Sequence, residues 1–193
     1  MVESIARACI IGPRPRDDEP KGFLWEGELS VLVGLLRAVS PVRMAETGVN
    51  TGRTAAYVLR HVPSIVEYMG VDVPTGYVTP LSVQCQEVPT NPGFEAIRNP
   101  KFRLVIKPRG SYDLGPTDLG ELDAMFIDGD HSAEGVANDT KLALECVRPG
   151  GVVVWHDYYP GDKWLGVAKY LDELPMTRRI LRVQGTCLAY LPV

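Results

Sequence analysis

The sequence has few cysteines and places none of them in a pair. Four cysteines are spread along its 193 residues without a C-x-x-C motif; they are Cys9, Cys85, Cys146 and Cys187. A structural zinc site built on paired cysteines is therefore not expected, and neither is a disulfide framework in a chain of this length. We expect reduced thiols, as is typical of a cytoplasmic protein.

Long apolar runs and an excess of basic residues are absent as well. No apolar stretch approaches the roughly 20 residues that span a bilayer, and the N-terminal apolar run is too short for a signal peptide. The formal net charge is -4, and no basic stretch is present to bind a phosphate backbone. These absences argue against membrane and nucleic-acid partners and predict a cytoplasmic location.

Length and composition indicate one folded domain. A chain of 193 residues with 45% hydrophobic and 23% charged residues can bury a single core. Residues 1–25 combine several prolines with mixed charges and predict an irregular N-terminal arm, whereas 26–193 predict the domain itself. The segment 74–100 is also rich in proline and predicts an irregular insertion, in which only 93–98 shows weak helical periodicity.

Strand and helix patterns alternate along the domain. Apolar runs predict five strands, at 42–46, 68–73, 102–107, 124–128 and 152–155. Apolar residues at helical spacing predict helices between them, at 26–39, around 55–62, at 134–147 and around 164–171. Thr51 is a candidate cap for the second helix, and Asp130 or Ser132 for the third. Pro149-Gly150-Gly151 is expected to stop the third helix.

This alternation predicts an α/β fold with a Rossmann-like, doubly wound sheet that is mostly parallel. Two further strand-like runs, at 178–183 and 187–192, flank Gly185-Thr186 and predict an antiparallel hairpin at the C-terminal end. Ligands of such sheets bind outside the carboxyl ends of the strands. Polar residues at those ends are therefore the candidates for function.

Each of the five predicted strands ends in polar residues. Gly48 and Gly52 follow the first strand and let a ligand approach the backbone at the start of a helix. Asp72 ends the second strand, where a carboxylate can accept two hydrogen bonds from a ribose diol. Alone, the glycines are typical of a plain strand-to-helix turn, and Asp72 is typical of a solvated strand end. Together they predict nucleoside binding. The other three ends carry Arg109-Gly110-Ser111, Asp128-Gly129-Asp130-His131 and His156-Asp157-Tyr158.

The ends of the fourth and fifth strands supply groups for proton and metal chemistry. A divalent ion can lower the pKa of a hydroxyl, and a neighbouring carboxylate or imidazole can take its proton. The candidates for these two tasks are Asp128, Asp130, His131, His156 and Asp157. For Asp130 the alternative is a purely structural role as a helix cap.

Three motifs give the chain its resemblance to class I S-adenosylmethionine (SAM)-dependent methyltransferases. They are ETGVNTG at 46–52, GVDV at 70–73 and FIDGDHSAEGVANDTKLALECVRPGGVVVWHDYY at 126–159. With the predicted hairpin, they resemble more narrowly the macrolide and aminocoumarin sugar O-methyltransferases, over residues 26–192. The resemblance implies the class I methyltransferase fold, SAM as cofactor, and methyl transfer to oxygen of a small hydroxylated acceptor. The glycine turn departs from the common G-x-G-x-G pattern, because Asn50 occupies its middle position.

The resemblance also implies an outline of the cofactor site. Glu46 and the two glycines would cradle the methionine part, Asp72 would hold the ribose hydroxyls, and Gly110 and Ser111 would line the adenine side. The full set of expected cofactor contacts is Glu46, Gly48, Asn50, Thr51, Gly52, Asp72, Gly110, Ser111 and Asp128.

In the sugar O-methyltransferases that the chain resembles, a magnesium ion and a general base act beside the cofactor. Carried over, Asp128 and Asp157 would be metal ligands, together with His156, and Asp130 would be the base. His156 departs from the family pattern, which has an acid there. Imidazole suits transition metals better than magnesium, so both kinds of ion stay open. His131 is an equally reasonable base, because imidazole titrates near neutrality.

Two other functions stay open from the sequence. Proteins resembling cephalosporin hydroxylases share the fold and the His-Asp pair after the fifth strand, so methyl transfer does not follow from the fold. A nicotinamide-dependent dehydrogenase fits less well, because the sequence lacks G-x-G-x-x-G. The short chain leaves little room for a substrate lobe. The N-terminal arm, the 74–100 insertion or a second subunit of a homo-oligomer would then complete the acceptor pocket.

Overall fold

The structure is a computed structural model that describes residues 26–79, 81, 88, 90–162, 165–174 and 180–193. The predicted arm at 1–25 lies outside the described residues, as do Trp164, the start of the run 178–183 and part of the 74–100 insertion. Within the described ranges, every helix is too short or too polar to span a bilayer.

A seven-stranded sheet forms the centre of the fold. Its strands are β1 (Arg43–Thr47), β2 (Glu67–Asp72), β3 (Phe102–Ile106), β4 (Leu122–Ile127), β5 (Val147–Trp155), β6 (Leu181–Arg182) and β7 (Ala189–Pro192). They lie in the order β3-β2-β1-β4-β5-β7-β6. The first five pair in parallel, while β7 runs antiparallel to both β5 and β6. The predicted mostly parallel sheet with a C-terminal antiparallel hairpin is confirmed.

Helices cover both faces of this sheet. They are α1 (Glu26–Val39), α2 (Arg53–His61), α3 (Pro116–Leu119), α4 (Ala133–Cys146) and α5 (Gly166–Glu173), with a 3-10 turn at Gly110–Asp113. Apolar stripes at helical spacing bury α1 and α2 in one cluster, and α4 and α5 in another. Residues of β5 from Val152 to Trp155 belong alternately to the two clusters, since successive side chains of a strand point to opposite faces.

The boundary between α4 and β5 lies earlier in the chain than predicted. α4 ends at Cys146, and β5 begins at Val147, which helical spacing had assigned to the helix. Val147 pairs with the first residue of β4, and the register then shifts. Gly151 fits this irregular stretch because a Cβ there would lie 2.4 Å from the carbonyl oxygen of Asp123. The helix stop predicted at 149–151 is wrong, because those residues lie within the strand.

The N-caps of α2 and α4 differ in part from the predicted residues. Gly52, with φ +86, is the N-cap of α2, whereas the hydroxyl of Thr51 donates to Glu95 at 2.8 Å. The cap predicted at Thr51 is therefore wrong. Of the two alternatives for α4, Ser132 is the N-cap, and its hydroxyl accepts a backbone N–H of the first turn. Asp130 accepts the backbone N–H of Ser132 and so supports this cap from the preceding turn.

The described part of 74–100 contains turns and bends but no helix or strand. Residues 93–98 form consecutive turns, so their weak helical periodicity does not produce a helix. Two of its backbone N–H groups, at Gly93 and Glu95, donate to the carbonyl oxygens of Asn50 and Thr51 at 2.7 and 2.9 Å. This segment therefore supports the turn that follows β1.

Candidate active site

A cleft lies at the carboxyl ends of β1, β2 and β4, where the sequence predicts the ligand site. Its lining comes mainly from the turn after β1, the end of β2, the 3-10 turn and the turn after β4. Seven of the predicted cofactor contacts line it, namely Gly48, Asn50, Thr51, Asp72, Gly110, Ser111 and Asp128. Both candidate bases, Asp130 and His131, line it as well.

The turn after β1 brings bare backbone to the cleft. Gly48 has φ +79, and a Cβ there would lie 2.0 Å from the carbonyl oxygen of Asp128. Only glycine fits between these two strand ends. Asn50 has φ 48, a conformation that asparagine adopts more readily than most residues. Gly52 is constrained elsewhere, because a Cβ there would lie 2.9 Å from Cα of Gly93 and not against the cleft.

Asp72 fastens the end of β2 to this glycine turn. One carboxylate oxygen accepts the N–H of Asn50 and the other accepts the N–H of Val73, each at 2.7 Å. Burial raises the pKa of Asp72, and these backbone hydrogen bonds offset that rise only in part. The carboxylate lines the cleft, and its remaining acceptor capacity can take a ligand hydroxyl.

Glu46 lies beneath the cleft, outside its lining. The residue is 1% exposed, and its carboxylate accepts the hydroxyl of Tyr68 at 2.8 Å. Burial raises the pKa of Glu46 well above its usual range. The next residue, Thr47, lines the cleft instead, because successive residues of a strand face opposite sides of the sheet. The structure thus does not bring Glu46 to the surface where the methionine contact is predicted.

Tyr112 is a cleft residue that the sequence did not single out. Its hydroxyl donates to one carboxylate oxygen of Asp130 at 2.9 Å, and the other oxygen accepts the N–H of Ser132, also at 2.9 Å. Burial, together with the acceptor Asp130, raises the pKa of Tyr112, so the phenol stays a donor. Asp130 is therefore held between the 3-10 turn and the start of α4.

Two carboxylates and two imidazoles meet after β4 and β5; we call Asp128, His131, His156 and Asp157 the cleft cluster. One potential ligand atom from each lies within 4.8 Å of all the others. Oδ1 of Asp128 lies 2.9 Å from Nδ1 of His156 and 3.2 Å from Nε2 of His131. The carboxylate of Asp157 lies 3.5 Å from each ring. The structure thus adds His131, predicted only as a base, to the three predicted metal ligands.

Burial and mutual charge set the protonation of this cluster. Burial alone would raise the pKa of Asp128, but the adjacent His156 and His131 bring it below its usual value. Burial alone would lower the pKa of both rings, yet the facing carboxylates raise it, and for His156 they raise it strongly. The imidazoles act as counter-charges for the buried carboxylates, a role that a divalent cation can also fill.

Solved structures share this fold. PaMTH1, an SAH-bound methyltransferase from Podospora anserina, has a TM-score of 0.63 at 16% identity, covering 98% of this chain and 86% of its own. TomG, an O-methyltransferase of tomaymycin synthesis from Streptomyces achromogenes in complex with SAM, has a TM-score of 0.62 at 18% identity, covering 99% and 89%. The O-methyltransferase NovP has a TM-score of 0.66 at 15% identity, covering 86% and 78%. Comparison with the curated proteins gives no match.

The solved structures show the fold of the chain, and a comparison with family models shows its family. Residues 45–158, more than half of the chain, match the family described as methyltransferase domain. The match begins in β1 and runs past Asp157. It therefore includes the glycine turn, Asp72 and the whole cleft cluster. This chain belongs to the methyltransferase domain family.

Proposed function

We propose that this protein transfers the methyl group of SAM to a hydroxyl oxygen of a small acceptor. The observation that carries the proposal is the adjacency of two features at one sheet edge. A cleft with a glycine turn and a strand-end aspartate suits a nucleoside, and a cluster of acids and imidazoles that can activate a hydroxyl lies directly beside it. Family membership supports methyl transfer. The SAM complex of TomG and the SAH-bound PaMTH1, which share the fold, support the cofactor.

In this proposal the chain's own residues bind and orient the cofactor. Backbone of the turn from Gly48 to Thr51 lines the cleft and lies along the methionine part. The N–H of Gly48 itself is already donated to the carbonyl oxygen of Val71. Asp72 accepts the ribose hydroxyls, and Gly110 and Ser111 lie along the adenine side. The bound SAM supplies a sulfonium methyl that is already activated. The protein must therefore mainly align the acceptor oxygen and manage its proton.

Replacing Asp72 by alanine should weaken SAH binding by about 1.5–3 kcal/mol, the range for hydrogen bonds that involve a charged group. Isothermal titration calorimetry with SAH measures this directly. Asp72→Asn is the matched variant, since its amide oxygen keeps one acceptor and its size is unchanged, and it should lose less affinity. Unchanged affinity in a folded Asp72→Ala protein would remove Asp72 from the cofactor site. The wild type should not bind NAD in the same calorimetric titration. Binding of NAD instead of SAH would favour a nicotinamide-dependent dehydrogenase.

We further propose that the cleft cluster holds one divalent ion. Asp128 and Asp157 are the carboxylate ligands, with His131 and His156 facing them within 3.5 Å. A donor set of carboxylates and imidazoles fits manganese, iron or zinc better than magnesium, which prefers oxygen alone. A bound ion lowers the pKa of a coordinated hydroxyl and so eases removal of its proton.

Chelation should lower both methyl transfer and the melting temperature of the protein, and added metal should restore them. Because imidazole is among the candidate ligands, manganese or zinc should restore activity at lower concentration than magnesium. The matched variant is Asp157→Asn, which should need more metal for the same recovery while SAH affinity stays within a few-fold. If neither activity nor melting temperature responds to chelator or metal, the cleft cluster works without an ion.

A further inference from the structure

A second group of potential ligand atoms lies behind His156, on the side of the ring away from Asp128. It consists of Glu28 on α1, Cys187 just before β7, and His156 itself; we call these three residues the deep cluster. Their exposed fractions are 4%, 3% and 2%, so all three are buried. Helix α1 packs there against the sheet through apolar residues, and a buried carboxylate in such surroundings is stable only when it is paired or binds a metal.

Two of the three distances within the deep cluster match those between ligands of one small ion, and the third is shorter by a few tenths of an ångström. Sγ of Cys187 lies 3.2 Å from Nε2 of His156 and 2.9 Å from Oε1 of Glu28. Oε2 of Glu28 lies 3.6 Å from the same Nε2. Ligands bound tetrahedrally to zinc at its usual bond lengths lie about 3.2–3.8 Å apart. Small adjustments of Cys187 and Glu28 would therefore suffice to place three ligands around one ion.

Glu28 is fixed in position independently of any ion. Its Oε1 accepts the backbone N–H of Cys187 at 2.7 Å, across 159 positions of sequence. That bond leaves Oε2, the oxygen nearer to His156, available as a ligand. The deep cluster thus joins α1 to the C-terminal hairpin and to the end of β5.

The imidazole of His156 can serve the deep cluster without leaving the cleft cluster unsupported. A histidine that binds metal through one nitrogen commonly donates its other N–H to a carboxylate. Here Nδ1 lies 2.9 Å from Asp128 while Nε2 faces Cys187. Without His156 the cleft cluster keeps three ligands, enough for a site with open positions. The deep cluster would keep only two.

We propose that Glu28, His156 and Cys187 form a second metal site, which takes zinc or a similar thiolate-binding transition ion. The ion is held by a thiolate, an imidazole nitrogen and a carboxylate oxygen, a donor set that excludes magnesium and calcium. Its role is structural, because the site is buried and ties together three segments distant in sequence. The proposal does not depend on methyl transfer or on cofactor binding.

Cobalt titration of the metal-free, full-length protein tests this site, because only a thiolate ligand gives an intense near-ultraviolet sulfur-to-cobalt charge-transfer band. We expect this band to appear in the wild type and to saturate by two equivalents of cobalt, one for the deep cluster and one for the cleft cluster. Cys187→Ser should abolish the band and weaken cobalt binding at the site by roughly 100-fold. Loss of a residue that only supports a ligand costs about 10–100-fold in metal affinity, and loss of a ligand itself should cost at least the upper value. Asp157→Asn, which alters only the cleft cluster, should keep the band.

Cys146→Ser is the matched control, since Cys146 is also buried but lies elsewhere in the fold, and it should keep the band too. The triple variant Cys9→Ser, Cys85→Ser, Cys146→Ser should show the full band from Cys187 alone. Zinc should also raise the melting temperature of the wild type more than that of Glu28→Gln. No charge-transfer band in the wild type, or a band that persists in Cys187→Ser, would overturn the proposal and leave the deep cluster as a set of hydrogen bonds.

Discussion

Replacing Gly48 by alanine is expected to destabilise the fold by about 2–5 kcal/mol and to abolish SAH binding. A left-handed conformation costs an alanine about 1–2 kcal/mol, and Gly48 has φ +79. The added methyl would also lie 2.0 Å from the carbonyl oxygen of Asp128, which is backbone and cannot rotate away. Forcing extra volume into a packed site costs typically about 1–3 kcal/mol more. Urea denaturation measures the stability, and calorimetry measures the affinity.

Gly76→Ala separates the two costs. Gly76 has φ +82, but a Cβ there would meet no atom of the described residues within 4 Å. This variant should therefore lose only the conformational part, about 1–2 kcal/mol, and should keep its affinity for SAH. Equal losses of stability in the two variants would mean that the close approach of Gly48 to Asp128 is not what requires glycine.

The central sheet was predictable from the sequence because its strands are short apolar runs between recognisable turns. The run from Val152 to Trp155 is apolar at every position, as expected for a strand covered on both faces. Parallel strands bring their carboxyl ends to one edge, so Asp72, Asp128 and Asp157 could be assigned to one edge without coordinates. The cleft and the cleft cluster lie where this reasoning put them.

Features that depend on pairing across the sheet could not be predicted. Val147 fits the helical spacing of α4, yet it pairs with β4 and starts β5. Local sequence does not encode this, because the pairing partner lies some 25 positions earlier and the register then shifts. The cap at Thr51 failed for a similar reason: its hydroxyl bonds to Glu95, which lies 44 positions later in the insertion.

The direction in which individual side chains point also could not be predicted from the sequence. Glu46 matches the family motif, but its side chain is buried and bonded to Tyr68. Thr47, on the opposite face of the strand, lines the cleft instead. Glu28 and Cys187 carried no signal at all, since α1 reads as an ordinary amphipathic helix and the cysteine stands alone in sequence. Only the folded chain brings both of them next to one nitrogen of the His156 imidazole.

Removing the general base should lower turnover roughly 10²–10⁴-fold once an acceptor is found. Asp130 and His131 are the two candidates. Asp130→Asn is nearly isosteric and keeps the oxygen that can accept from Tyr112 or Ser132, so it tests the charge. His131→Gln places an amide near the position of Nε2, which lies 3.2 Å from Asp128. Both variants are compared at saturating metal and SAM, so that only the chemical step differs.

Tyr112→Phe is the control that distinguishes a base from a packing residue. It removes the hydrogen bond to Asp130 but leaves the carboxylate, so turnover should fall far less than in Asp130→Asn. Collapse in Asp130→Asn alone assigns the base to Asp130, the position that matches the sugar O-methyltransferases. Collapse in His131→Gln alone, in protein shown to hold as much metal as the wild type, assigns it to the histidine, because loss of a metal ligand is then excluded. If both variants turn over normally, this site does not couple methyl transfer to proton removal, and a non-methylating role of the hydroxylase-like kind becomes the better explanation of the cleft cluster.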